Sequence, residues 1–315
     1  MQVIAYTPEW EEGWNKLVRE SKNGTFLIDR SYMDYHQDRF QDCSLIFSEG
    51  NKILGVLPAN WDEENKTIYS HQGLTYGGLI LHTDVKAVLV IQMLDESIEF
   101  YKNNYNATRM IYKPTPYIYH QYPAQEDLYG IFCHNGKLLT RGLSSTIPLM
   151  HPLKIKESRK SGIRKAISNS LHISKSNEIE PFWNILNYVL TTYHNTRPVH
   201  SVFELNLLMS KFPKEIQLFV VKNEEEEVVA GSLLYLMPQV IHVQYIAASD
   251  KGKESGALDL LFHYLIHEKF KDTASYLDFG VSTENGGLIL NKGLEFQKEG
   301  FGGRGVCYDS YELTL

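Results

Sequence analysis

The chain has 315 residues, 43% of them hydrophobic and 22% charged, and its 31 basic and 38 acidic residues give a formal net charge of −7. This composition excludes a disordered or collagen-like chain, and the acidic balance excludes a protein that coats DNA or RNA with its whole surface. At about 150 residues per domain, the length predicts two domains.

The cysteines and histidines predict a protein without disulfides or a bound metal. Cys43, Cys133 and Cys307 lie far apart and form no CxxC pair, and none of the twelve histidines has convincing metal-ligand spacing. Acidic residues instead of a basic, apolar leader follow Met1, so no signal peptide is expected. The longest apolar window, near residues 87–94, is too short to span a bilayer. These features predict a cytoplasmic protein without a transmembrane segment.

The first half alternates helical and strand patterns, which is typical of a mixed α/β chain. Trp10, Trp14, Leu17 and Val18 recur at helical spacing. A hairpin follows, with strands at 44–47 and 53–57 around a polar turn. The remaining predicted elements are short strands at 68–71 and 78–82, a helix at 85–103 with Asp84 as its N-cap, and a strand at 109–112.

The same order recurs after residue 180. The predicted elements are a helix around 182–190, strands at 217–221, 228–234 and 240–248, a helix at 258–270 and a strand at 276–281. When Gly55 is aligned with Gly231, the two series match element by element, which indicates two copies of one α/β unit. Order alone fits an unrelated alternation of helices and strands equally well.

A basic segment lies between the two halves. Residues 154–165 contain Lys154, Lys156, Arg159, Lys160, Arg164 and Lys165, opposed by Glu157. If residues 158–170 are helical, the basic side chains form a stripe beside an apolar one. The segment is either a solvated linker helix or a site for an anionic ligand such as a nucleotide diphosphate, a phosphorylated lipid or RNA.

The loop after the strand at 240–248 is a candidate anion site. It leaves a strand and enters a helix, whose unpaired N–H groups and positive dipole end favour a pyrophosphate, while its glycines allow a close approach. A plain strand–helix connection is the alternative, because the spacing matches no nucleotide-binding motif. The candidate residues are Lys251, Gly252, Lys253, Ser255, Gly256 and Ala257.

Polar residues on two hydrophobic strands indicate a wet cleft. Alternation places His242 and Gln244 on one face of their strand and Tyr245 on the other. Asp278 and Ser282 share a face of the last strand, and a carboxylate there needs either a structural partner or a catalytic task. His200, on a loop before a helix, is a further candidate.

Several of these segments resemble FemAB-like proteins, in which two GNAT acyltransferase units stand in tandem. The resemblance covers nearly the whole chain and is clearest after about residue 155. Its most specific features are Asp278-Phe279-Gly280 and the Lys-x-x-Phe-Gly stretch at 298–302. The segments that carry it are the basic residues 158–166, the strand at 242–247, the loop to Gly256-Ala257, residues 278–282 and the tail at 291–303.

The resemblance implies a mixed α/β fold with domains at 1–150 and 151–315, and transfer of an acyl group from acetyl-CoA or another acyl-CoA. The acceptor would be an amine of an envelope-glycan precursor or a small metabolite. Backbone amides of Ile246, Ala247 and Ala248 would polarise the carbonyl, and the loop would hold the diphosphate. His242, Asp278 or His200 would relay the proton, and Tyr245 or Ser282 would protonate the leaving group. Leu258 departs from the GNAT loop pattern, which expects glycine or alanine there.

Two other hypotheses remain open. FemAB-like enzymes that use aminoacyl-tRNA suggest aminoacyl transfer to a peptidoglycan precursor, with Arg159 and Arg164 of the basic segment on acceptor-stem phosphates or on a lipid-linked precursor. The second hypothesis is a catalytically inactive protein that binds a glycan or nucleotide-sugar. In the first half, Tyr76 and Tyr119 belong to aromatic segments typical either of a carbohydrate cleft, with Gln244 as a further contact, or of a packed seam.

Overall fold

The computed structural model describes the backbone of residues 1–315 and every side chain except that of His194. The helices are α1 (Glu11–Glu20), α2 (Arg30–Met33), α3 (Ala87–Tyr105), α4 (Glu126–Cys133), α5 (Glu157–Ser168), α6 (Glu180–His194), α7 (Val202–Lys211), α8 (Asp250–Ser255), α9 (Ala257–Tyr264) and α10 (Lys292–Gly300). Among the described residues, no helix is long and apolar enough to cross a membrane.

The strands alternate with these helices. They are β1 (Gln2–Ala5), β2 (Gln41–Asp42), β3 (Leu45–Glu49), β4 (Lys52–Leu57), β5 (Asn60–Asp62), β6 (Thr67–Tyr69), β7 (Ile80–Leu81), β8 (Arg109–Tyr112), β9 (Lys137–Pro148), β10 (His172–Ser176), β11 (Ile216–Lys222), β12 (Val228–Leu236), β13 (Val240–Ala248), β14 (Tyr276–Val281), β15 (Thr283–Glu284), β16 (Ile289–Leu290) and β17 (Arg304–Thr314).

The chain divides into two compact units, each built from more than one segment. Unit 1 comprises Met1–Gly142, Thr283–Ile289 and Cys307–Leu315, and unit 2 comprises Leu143–Ser282 and Leu290–Val306. The first crossing therefore comes within β9, whereas the sequence analysis places one boundary after residue 150. The chain re-enters unit 1 at Thr283 and again at Cys307, and no change in amino-acid composition marks either position.

Unit 1 contains a four-stranded antiparallel sheet in the order β1-β3-β4-β7, and a second set of strands in the order β8-β6-β5-β2. Helix α3 packs its apolar face, including Met93 and Leu94, into the core of this unit. The helix begins at Ala87 with Lys86 as its N-cap residue. The predicted N-cap, Asp84, is wrong, because its carboxylate instead accepts a hydrogen bond from Lys52 at 2.7 Å.

Unit 2 repeats that arrangement in its first four strands, β10-β11-β12-β13, which are also antiparallel. Strand β14 then pairs in parallel with β13, and β9 pairs antiparallel with β14. Gly55 and Gly231 each lie on the third strand of their four-strand series, as their predicted alignment requires. The predicted hairpin at the start of unit 1 and the predicted strand at 276–281 are likewise confirmed.

Helices cover both faces of the unit 2 sheet. Leu261, Phe262 and Leu265 from α9 and the turn after it bury one face together with apolar residues of β12, β13 and β14. Helix α6 lies on the opposite face, where a Cβ on Gly231 would come within 2.7 Å of the Phe182 ring. Glycine at 231 is therefore what allows α6 to approach β12 so closely.

Candidate functional site

The two central strands of unit 2 part in the middle of the sheet. Strand β13 pairs with β12 along its length, but its pairing with β14 in the described chain runs only from Val240–His242 against Tyr276–Asp278. The later part of β13 therefore diverges from β14, and His242 and Asp278 occupy the last paired position. A gap of this kind exposes backbone N–H and C=O groups to a ligand.

A β-bulge at Gln244 changes which side chains face this gap. Leu233 pairs with Tyr245 and Leu234 with Val243, so Gln244 has no counterpart on β12. Leu234 and Val243 belong to the core under α9, whereas the Tyr245 ring contacts Trp183 of α6 at 5.4 Å between ring centroids. The predicted alternation is therefore wrong beyond Val243, since the extra residue brings Tyr245 to the face of His242.

His242 and Asp278 form a hydrogen-bonded pair at the point of divergence. The Nδ1 of His242 lies 2.9 Å from Oδ2 of Asp278, which is fully buried. The Oδ1 atom of Asp278 accepts hydrogen bonds from the Ser144 and Thr146 hydroxyls. Burial alone would raise the pKa of Asp278, but the bonds from His242, Ser144 and Thr146 outweigh it and lower the pKa.

These contacts fix the protonation of the histidine ring. An ionised carboxylate only accepts hydrogen bonds, so Nδ1 of His242 carries a proton and, in the neutral ring, Nε2 is the basic nitrogen. The assignment follows from the hydrogen-bond network. Gly280 has φ 73°, a left-handed backbone conformation that favours glycine, and this lets the chain turn beside the His242 ring.

A buried lysine lies close to this pair. The Nζ of Lys298 donates hydrogen bonds to the carbonyl oxygens of Gly280 at 2.7 Å and Val281 at 3.0 Å. Burial lowers the pKa of Lys298 to about 8, although Asp278 and Glu295 favour its charged form. Glu295 in turn accepts a hydrogen bond from Ser145 at 2.8 Å. The lysine is therefore held as a cation at neutral pH beside the C-terminal end of β14.

His200 and Tyr245 form a second pair. The Nδ1 of His200 lies 2.7 Å from the Tyr245 hydroxyl, and the His200 ring is buried. Burial raises the pKa of Tyr245, which hydrogen bonds from the His200 backbone and Gln244 only partly oppose. The tyrosine is therefore a neutral hydrogen-bond donor at neutral pH.

Ser282 lies immediately after β14. Its backbone N–H donates to the Leu143 carbonyl at 2.7 Å, and its carbonyl accepts from Asn291 at 2.9 Å. Its Oγ is buried and has no hydrogen-bond partner among the described residues. A buried hydroxyl without a partner is costly.

The backbone of β13 supplies donors toward the gap. The N–H of Ser249 donates to Val229 on β12 at 2.9 Å. Alternate residues of an antiparallel strand bond to the same neighbour, so the N–H groups of Ile246 and Ala248 point the other way, and that of Ala247 points to β12. The Ile246 side chain is exposed, whereas Ala247 and Ala248 are buried. Two of the three predicted amides therefore face the side where β14 has diverged.

The predicted anion loop is mostly helical. Residues 250–255 form α8, Gly256 has φ 76°, and α9 begins at Ala257. A Cβ on Gly256 would lie 2.3 Å from the Gly162 carbonyl of α5, and Ala257 is fully buried. The N-terminus of α9 thus lies against α5. Exposed side chains are contributed by Lys251, Lys253 and, in part, Ser255, while Gly252 is buried.

The first turn of α9 also carries a negative charge. The carboxylate of Asp259 accepts a hydrogen bond from Nη1 of Arg159 at 2.6 Å. A Cβ on Gly162 would overlap with Oδ2 of Asp259, at 1.8 Å. Arg159 is therefore engaged inside unit 2, whereas Arg164 lies on the exposed face of α5 and pairs with Glu157 at 2.8 Å. A phosphate at this helix end would meet a carboxylate and the α5 backbone.

The two predicted acceptor tyrosines lie in the interior of unit 1. The rings of Tyr76 and Tyr119 are 4.7 Å apart between centroids and both are buried. The Tyr76 hydroxyl donates to Thr25 at 3.1 Å, and the Tyr119 hydroxyl lies 2.7 Å from that of Tyr308. Both tyrosines therefore belong to the packing inside unit 1.

Sequence reasoning assigned no role to Ser144, Thr146 or Lys298. The two hydroxyl residues lie on β9, far from Asp278 in sequence, so only strand pairing brings them together. Lys298 stands in the Lys-x-x-Phe-Gly stretch at 298–302, and this motif was the available signal in the sequence. Among the described side chains, no group of three or more His, Cys, Asp or Glu residues could hold a metal ion.

The chain is similar in structure to FemX, with a TM-score of 0.71 at 11% identity, covering 100% of this chain and 98% of FemX. L-PGS from Bacillus licheniformis gives 0.62 at 14% identity, covering 98% and 91%. A tandem GNAT protein from the clavulanic acid biosynthesis pathway gives 0.50 at 8% identity, covering 99% and 98%. No protein-family profile and no curated protein matches the sequence. The predicted fold, mixed α/β with tandem GNAT-like units, is confirmed.

Proposed function

We propose that the chain transfers an acyl group from an activated donor to an amine, with the chemistry in the gap between β13 and β14. The observation that carries this proposal is the His242–Asp278 pair at the point where the two strands part. A buried, ionised carboxylate that fixes one nitrogen of a histidine leaves the other nitrogen as a base, and amide formation needs such a base.

The proposed reaction is a nucleophilic substitution at a carbonyl. The acceptor nitrogen attacks the acyl carbon, its proton passes to Nε2 of His242, and the bond from carbon to the leaving oxygen or sulfur breaks. The proton then goes to the leaving group, directly from His242 or through the Tyr245 hydroxyl or Ser282. The N–H groups of Ile246 and Ala248 are the donors best directed to stabilise the negative carbonyl oxygen.

Two versions of this function differ in the donor, which is either an acyl-CoA or an aminoacyl ester. The resemblance to FemAB-like proteins implies acetyl-CoA or another acyl-CoA, whose diphosphate would lie at residues 251–257. The contacts of Gly256 with Gly162 and of Asp259 with Arg159 fill the space in front of α9, which disfavours a diphosphate there. The second candidate, an aminoacyl ester such as aminoacyl-tRNA, needs no diphosphate site at the start of α9.

The acceptor is proposed to be an amine of an envelope-glycan or peptidoglycan precursor, or a small metabolite. The resemblance to FemAB-like enzymes and the structural similarity to FemX support this choice. The fold is equally compatible with a protein that binds such a precursor without turnover, so only a measured transfer activity distinguishes the two.

The test is a transfer assay with both donors. The purified chain is incubated with radiolabelled acetyl-CoA or with radiolabelled aminoacyl-tRNA, in the presence of an amine-rich extract of envelope precursors. Transfer that is lost in Asp278→Asn, a variant that keeps the shape of the buried group, supports the proposal. Binding of a precursor without transfer from either donor would favour the inactive binding protein instead.

A further inference from the structure

One surface of unit 2 combines exposed apolar and basic side chains. The side chains of Met150, Leu153 and Phe296 are 62%, 42% and 58% exposed. Large apolar side chains that are exposed next to one another mark interaction sites more often than single ones do. We call this the basic–apolar surface, and it consists of Met150, Leu153, Lys154, Lys156, Lys160, Lys292 and Phe296.

Contacts place Leu153, Lys156 and Phe296 close together on unit 2, and each other member lies within four residues of one of these three in the chain. The N–H of Lys156 donates to the Gly300 carbonyl at 2.9 Å, and a Cβ on Gly302 would lie 3.1 Å from the Leu153 carbonyl. The segment 153–156 therefore runs along the C-terminal end of α10. The Nζ of Lys156 lies 4.0 Å from the centroid of the Phe296 ring, so the two side chains are in direct contact.

The inner side of α10 is separate from this surface. Glu295 and Lys298 are buried and belong to the candidate site, whereas Lys292 and Phe296, one helical turn apart, are exposed. Conversely, Arg159 faces inward to Asp259 and does not contribute to the surface. The basic and apolar side chains are therefore not explained by the packing of unit 2.

The charge of the surface is positive. Lys154, Lys156 and Lys292 are exposed, and Lys160 is half-exposed. Two acidic side chains lie among them: Glu299 on α10 is partly exposed, and the exposed Glu157 lies within ion-pair distance of both Lys160 and Arg164. The four lysines still outnumber the two carboxylates, so the surface attracts an anionic partner.

We infer that the basic–apolar surface docks unit 2 onto an anionic lipid bilayer. Lysines contact the phosphates of headgroups, while Met150, Leu153 and Phe296 enter the interface below them, which is the arrangement that stabilises peripheral membrane binding. An RNA would use the lysines and could stack on Phe296, but it would leave the aliphatic side chains exposed. The combination therefore favours lipid.

The experiment is co-sedimentation of the purified full chain with vesicles of phosphatidylcholine alone and with vesicles that also contain phosphatidylglycerol. We expect binding to the anionic vesicles and little to the neutral ones. Lys154→Glu should weaken binding by more than about fivefold, the contribution of one basic residue near an anionic surface. The pair Leu153→Ser with Phe296→Ser should weaken it by at least about fivefold through loss of apolar burial.

Matched controls separate docking from folding and from general charge. Phe203, 78% exposed on α7, and the exposed Lys214 lie outside the surface, so Phe203→Ser and Lys214→Glu should leave vesicle binding unchanged. Circular dichroism should show that all variants remain folded. Vesicle binding that is unchanged by Leu153→Ser with Phe296→Ser would overturn the inference. Binding to tRNA but not to vesicles would also overturn it.

Discussion

Asp278 is the position where substitution separates structure from chemistry most clearly. Its Oδ1 accepts hydrogen bonds from Ser144 and Thr146, whose hydroxyls are buried with it, and its Oδ2 faces Nδ1 of His242. Asp278→Ala removes the acceptor for both hydroxyls. Asp278→Asn retains an amide oxygen for the hydroxyls but turns an N–H group toward His242.

The expected magnitudes follow from these contacts. A buried polar group that loses its partner costs about 1–3 kcal/mol, so two hydroxyls predict that Asp278→Ala lowers the free energy of unfolding by about 2–6 kcal/mol. Asp278→Asn should cost less than Asp278→Ala. In this variant the amide donates to Nδ1 of His242, so the proton of the neutral ring must move to Nε2.

Two measurements check this prediction without a substrate. Urea unfolding compares the free energies of unfolding of both variants with that of the original chain. Nitrogen chemical shifts of the His242 ring report which nitrogen carries the proton, which we expect to be Nδ1 in the original chain and Nε2 in Asp278→Asn. Unchanged stability in Asp278→Ala, or an unchanged tautomer in Asp278→Asn, would refute the assigned hydrogen bonds.

The remaining predictions concern titration and packing. Burial raises the pKa of Asp127 to about 6, so the folded chain holds a proton that the unfolded chain releases near pH 4. The contribution of Asp127 to the free energy of unfolding should fall by about 2 kcal/mol from pH 4 to 6, and Asp127→Asn should remove that fall. Lys298 and Lys113 both have a pKa of about 8, below the usual value near 10. The unfolded chain therefore binds more protons than the folded chain between pH 8 and 10, so the free energy of unfolding should rise over that range. Lys298→Met or Lys113→Met should each remove part of this rise. Urea unfolding at successive pH values measures it. Gly231→Ala, which meets Phe182, should lower the free energy of unfolding by about 1–3 kcal/mol, whereas Gly293→Ala, with a nearest contact of 3.7 Å, should change it little; equal effects would contradict the packing of α6.

Much of the fold followed from periodicity. Each of several elements shows its apolar periodicity within its own segment, which made it predictable. These elements are the hairpin of β3 and β4, the strands β11–β14 and the helix α3. The order β1-β3-β4-β7, repeated as β10-β11-β12-β13, was predictable only as a hypothesis, since strand order depends on pairing between distant segments. The division into units was harder to predict, because segments after residues 282 and 306 fold back into unit 1.

The candidate site was predictable in its residue types and not in its geometry. His242 and Asp278 stood out as polar residues in apolar strands, and strand pairing does place them opposite each other. Tyr245 was assigned to the wrong face because a bulge of one residue reverses the alternation without leaving a signal in the sequence. The closure of the α9 N-terminus by α5 depends on Gly162 and Gly256, which lie far apart in the sequence.

The proposed acyl transfer is measured as the movement of label from an activated donor to an amine. The measurement compares the original chain with Asp278→Asn for transfer from aminoacyl-tRNA and from acetyl-CoA to the same envelope precursors. The account predicts transfer by the original chain and a loss of about a hundredfold or more in the variant, the usual contribution of a positioned general base. Equal transfer by the two proteins, or transfer by neither from either donor, would contradict it.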